Sequence, residues 1–191
     1  MSFTDKLLGR NKGKASLAKM AQIPLVLMDS KSPPFDDWQD PEVNIPEDLK
    51  QMFNYYSWLY QLYMFFVVTS ERFGNDLAVK IIEKVDESEQ KILGTTSFNI
   101  YENINSIHLA IQQLIESPII EDMDGELSEM PLEYGLAKRF LLSGDFSPIK
   151  FEEEDVGLNE VAILGLCLFH AKQSALTQFE NVISNIEIEN A

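Results

Sequence analysis

Apolar residues recur at three- and four-residue steps along most of this chain, a spacing that places them on one side of a helix. In "DLAVKIIEKVDESEQKIL" Leu77, Ile81, Ile82 and Val85 form one such face. In "FNIYENINSIHLAIQQLIES" the series runs Ile100, Tyr101, Ile104, Ile107, His108, Ile111, Leu114 and Ile115. Capping and stop residues divide the pattern into elements. Pro46 suits a first helical position, Glu47 and Asp48 complement the positive end of the dipole, and Gly74 supplies a left-handed stop, which predicts a helix over 47–73. Asn75 caps a second helix and Gly94 ends it. "TTS" at 95–97 caps a third, which Pro118 closes. Pro131 opens a fourth, "PLEYGLAKRFLL", which Ser143 and Gly144 end. The last is expected over about 157–187: its stretch 161–169 is apolar all round, and beyond Lys172 an amphipathic face continues through Ala175, Phe179, Val182 and Ile186.

"IIEDMDGELSEM" and "DFSPIKFEEED" read as loops between helices, and only "PLVLM" suggests a short extended piece. The expected class is all-α, a single-domain bundle of about five body helices spanning 47–191. Five of the eight prolines fall between Pro24 and Pro46. Each fixes φ, removes a donor and disfavours helix in the residue before it, so 23–46 is expected to be an extended strap, pinned by Phe35 and Trp38. Residues 1–22 are expected to form a basic, mobile arm.

The stretch Met52–Val68 carries eight aromatic residues in seventeen. Lys50, Asn54, Ser57 and Gln61 follow one another at steps of four, three and four, one narrow polar line on an otherwise apolar helix. That pattern suits the centre of a bundle, wet along one edge. A membrane span needs about 20 predominantly apolar residues, and three polar residues and four phenols interrupt this run. The alternative is a small-molecule binding protein or an enzyme whose pocket is lined by this Tyr-rich helix, through Asn54, Ser57, Tyr60 and Gln61, because tyrosines combine an apolar body with a hydrogen-bonding tip.

Charge narrows the partners. The formal net charge is −16, yet residues 1–20 carry +4, which leaves −20 on the remainder. A body so acidic repels nucleic acid and anionic lipid, and favours a basic protein partner. The densest acidic patch in a loop holds Glu121, Asp122, Asp124, Glu126 and Glu129, the expected partner-binding residues. Aligned on Gly125 as a calcium loop, it places Ile120 and Pro131 where ligands are required, so that reading fails. "FEEEDVG", 151–157, precedes the last helix, where carboxylates are stabilised by the dipole.

Little else points to chemistry. His108 and His170 stand on different predicted helices and outside any Glu-x-x-His pair, and a single cysteine, Cys167, forms neither an internal disulfide nor the common sulfur-rich zinc sites. Each histidine reads as a boundary residue and Cys167 as an inert buried thiol. "GRNKGKAS" lacks the spacing of a phosphate loop. Gln22 and Pro24 interrupt the apolar run of a secretory leader, so the cytoplasm is expected. The sequence therefore predicts a non-enzymatic acidic protein-binding module, an adaptor, regulator, chaperone or neutralising protein. No catalytic residue, metal or cofactor is expected. The large aromatic faces also suit a homodimer.

Overall fold

The computed structural model describes residues 13–28, 47–93, 99–123, 126–143 and 158–189. In chain order these form β1 (Gly13–Ala15), α1 (Leu17–Met28), α2 (Glu47–Phe73), α3 (Asn75–Leu93), α4 (Ile100–Glu116), β2 (Ile120–Met123), β3 (Glu126–Glu129), α5 (Leu132–Ser143), α6 (Leu158–Ile183) and β4 (Ile186–Ile188). The protein is all-α in class, with two short two-stranded ladders, β1 beside β4 in parallel and β2 beside β3 antiparallel. Among the described residues no helix is long and apolar enough to cross a membrane.

Local chemistry sets most helix ends. Gly74 has φ of +90°, the left-handed conformation that a Cβ penalises, and its N–H bonds to the Ser70 carbonyl to close α2. Its own carbonyl accepts from Ala78 N–H, so a single residue separates α2 from α3. At α4 the cap is Asn99, whose Oδ1 accepts from Glu102 N–H at 3.1 Å. The expected cap at 95–97 lies outside the described residues.

Three segments differ from expectation. Residues 17–28 are helical although Pro24 lies inside, so "PLVLM" is not extended, the strap does not begin at 23, and residues 13–15 and 17–22 of the expected mobile arm belong instead to β1 and α1. An internal proline costs a helix about 3 kcal/mol; against that, Met20, Ala21 and Ile23 are buried and α1 packs on α3. Tertiary burial outweighs the local preference. The last helix stops at Ile183 rather than near 187, because Ser184 and Asn185 both bond back to the Asn181 carbonyl and compete with helical propagation. The β-branched pair Ile186 and Ile188 then forms β4, paired with Gly13–Ala15. The third difference is the β2–β3 hairpin, which replaces the expected loop. The remainder of the strap, with Phe35 and Trp38, lies outside the described residues, as do residues 1–12 of the arm and the 151–157 acidic cluster.

The chain divides into two compact units, one of Met1–Lys31, Gln61–Asn105 and Lys172–Ala191, the other of Ser32–Tyr60 and Ser106–Ala171. In the first, Phe65 of α2 meets Phe179 of α6 edge-on at 5.0 Å, among buried Leu62, Ile81, Ile82, Val85 and Ile183. In the second, Phe53, Tyr56 and Leu59 of α2 are buried with Leu136 and Phe140 of α5 and Leu164 and Leu168 of α6.

Gly165 of α6 lies against Tyr134 of α5: a Cβ there would stand 2.7 Å from Tyr134 Cγ and 3.0 Å from its Cα. Neither the start of a ring nor backbone yields cheaply. Gly165→Ala is expected to destabilise by about 1–3 kcal/mol despite the better helix propensity of alanine. A urea titration showing equal or greater stability would contradict this close approach.

Candidate functional site

The strongest concentration of charge on a described element is the β2–β3 hairpin. It leaves α4 through Ser117 and Pro118 and returns to α5 at Pro131, and its base is closed by Met130 N–H donating to the Ile119 carbonyl at 2.8 Å. Met130 is buried, whereas Ile120, one residue inside the same base, is 54% exposed.

The backbone register pairs Ile120 with Glu129, Glu121 with Ser128, Asp122 with Leu127, and Met123 with Glu126. No two acids stand directly opposite. Like charges facing across a ladder destabilise it, and this pairing avoids that cost at every position. Of the residues singled out in the sequence, Glu121 and Asp122 thus lie in β2 and Glu126 and Glu129 in β3, while Asp124 lies outside the described residues. The sequence held a signal for this element. Asp124-Gly125 is a favoured two-residue hairpin turn, and the two strands flank it.

The polar line on α2 is split rather than continuously wet. Asn54 is exposed and Lys50 partly so, but Ser57 and Gln61 are buried at 8% and 5% exposure. Tyr60, placed in the pocket by the sequence, is fully buried, and its hydroxyl donates to Glu133 Oε1 at 3.1 Å. Glu133 was missed. It lies in the first turn of α5, where the helix dipole and unpaired backbone donors favour a carboxylate, and it is only 5% exposed. A glutamate after a helix-opening proline reads as solvated; its burial follows only from the tertiary placement of Tyr60.

In the first unit, Gln61 Nε2, Thr69 Oγ1 and Asp86 Oδ1 are buried with no hydrogen-bond partner among the described residues. Burial pushes the Tyr63 phenol above its ordinary value and raises the Cys167 thiol to about 11, so the thiol is protonated and unreactive at neutral pH. His108 is half-buried. His170 is exposed, its ring centre 5.9 Å from that of Phe169. Among the described residues no three His, Cys, Asp or Glu side chains gather as metal ligands.

The chain matches no protein-family model, no curated protein and no solved structure.

Proposed function

We propose that this protein is a non-enzymatic acidic module that recognises a basic protein partner, acting as an adaptor, regulator, chaperone or neutralising protein in the cytoplasm. The observation that supports this reading is the hairpin: five acidic residues fall within the nine positions Glu121–Glu129, without a lysine or arginine between Ser117 and Ala137, and the backbone register of the ladder sets none of the four in its strands directly opposite another. Negative charge concentrated on one short element, with no basic residue to offset it, favours a basic partner and speeds its association.

The test is recovery of a partner from native cells at low and at moderate salt, with the intact chain and with a variant carrying Glu121→Gln, Asp122→Asn, Asp124→Asn, Glu126→Gln and Glu129→Gln. A basic protein held at low salt, released at moderate salt and lost by the variant is the expected result. Equal recovery by both chains, or recovery of nothing basic in either condition, overturns the proposal.

A second reading, binding of a small polar molecule at the Tyr-rich helix, draws on one observation, the unpartnered Gln61 Nε2. A metabolite present at 100 times its dissociation constant adds about 2.7 kcal/mol of stability, which a thermal-shift screen detects. Gln61→Leu would then abolish the shift without lowering the stability of the unliganded protein.

A further inference from the structure

The hydrogen-bond phase of the hairpin exposes a second recognition feature. In an antiparallel ladder, directly opposed residues alternate between pairs that exchange backbone hydrogen bonds and pairs that do not. Met130 N–H bonds to the Ile119 carbonyl, which makes 119 and 130 a bonded pair. With the observed register, 121 with 128 and 123 with 126 are bonded too. Ile120 and Asp122 therefore turn their N–H and C=O groups away from β3, along the outer edge of β2. The sheet has two strands, and no third strand pairs with that edge among the described residues.

We infer that the outer edge of β2 takes an extended basic segment of a partner protein by strand addition, the backbone groups of Ile120 and Asp122 supplying the ladder bonds and the net negative charge of the two strands favouring lysine and arginine in that segment. This rests on the acidic-module reading and specifies how that module holds its partner. Three observations carry it. The edge groups recur every second residue, the spacing an incoming strand needs. Ile120 is 54% exposed at the start of that edge, an apolar contact open to a neighbouring strand. Finally, the edge lacks the lysine or proline that commonly blocks such pairing, and carries acids instead. Acids discourage pairing with a second copy of the same strand, where carboxylate would face carboxylate, and leave the edge open to a basic one.

The experiment uses the full chain and a terminally blocked peptide of about ten residues alternating lysine and valine, together with the same peptide N-methylated at its central residues. Methylation keeps the charge and removes the donors. On the protein side, Asp122→Pro removes an outward N–H and leaves the inner ladder, while Asp122→Asn removes the charge alone. The expected result is at least about tenfold weaker binding for the methylated peptide, and a similar loss for Asp122→Pro relative to Asp122→Asn. If Asp122→Pro loses helical circular dichroism, the methylated peptide on the unaltered protein decides by itself.

Equal affinity for the two peptides overturns strand addition, as does equal affinity of the two variants. Salt-sensitive capture of a basic partner in the cellular experiment would in that event leave the acidic-module reading standing. Failure of the unaltered protein to bind either peptide at low salt also overturns the inference. So does a dimer that Asp122→Pro dissociates, since a second copy would then occupy the edge.

Discussion

Phe140→Ala is expected to lower the unfolding free energy by about 3–5 kcal/mol, the cost of emptying a site walled by aromatic rings. Phe140 is 2% exposed and stands between two rings of α2, with Phe53 at 5.3 Å in an edge-on arrangement and Tyr56 at 5.0 Å. Truncation removes the transfer free energy of a large ring and two aromatic contacts together. It also leaves a void that cannot collapse readily, because all three rings are anchored to helices rather than to loops. Chemical denaturation should show a lower midpoint with an unchanged slope, since the surface exposed on unfolding is nearly the same. In a chain of this size each kcal/mol is worth roughly 2–4 °C of melting temperature. A loss below about 1 kcal/mol would mean that α5 does not pack on the amino-terminal part of α2.

Tyr60→Phe is expected to cost about 1.5–3 kcal/mol, although it deletes only one oxygen. The hydroxyl donates to a carboxylate that is itself buried, so its removal takes one donor away from Glu133 at a place where both side chains are shielded from solvent. The diagnostic comparison is the double variant Tyr60→Phe with Glu133→Leu. Removing both ends of a buried polar contact eliminates the unsatisfied group, so the double variant should be less destabilised than additivity of its two single variants predicts. Additive losses in a thermodynamic cycle would show that the two side chains are not energetically coupled.

The bounds of α2 were fully legible in the sequence, 47–73 expected and Glu47–Phe73 observed, because a proline, two acids and a glycine mark its ends and nothing non-local opposes them. Helix α1 was not legible. The penalty of Pro24 is written in the sequence, whereas the burial that offsets it depends on α3, more than fifty residues away. The same holds for β4: Ile186 continues the apolar periodicity of α6, and only a strand from the start of the chain makes the extended alternative favourable.

At the candidate site the sequence located the carboxylates of the hairpin and missed its form, because the helical pattern on either side masks the short Asp124-Gly125 signal. Of the four expected pocket residues, Asn54 is exposed, and Ser57, Tyr60 and Gln61 are buried. Periodicity can align such residues along a helix, but it cannot say how far the surrounding structure closes over them. Glu133 was illegible for that reason.

The pairing of Asp122 with Leu127 and of Glu121 with Ser128 also bears on misfolding. A slip of one residue in either direction would bring two carboxylates face to face, Glu121 with Glu129 in one shift or Asp122 with Glu126 in the other. Like charges therefore disfavour either slipped register. Acidification withdraws that safeguard, and intermolecular sheet growth and precipitation should increase as the charge is lost.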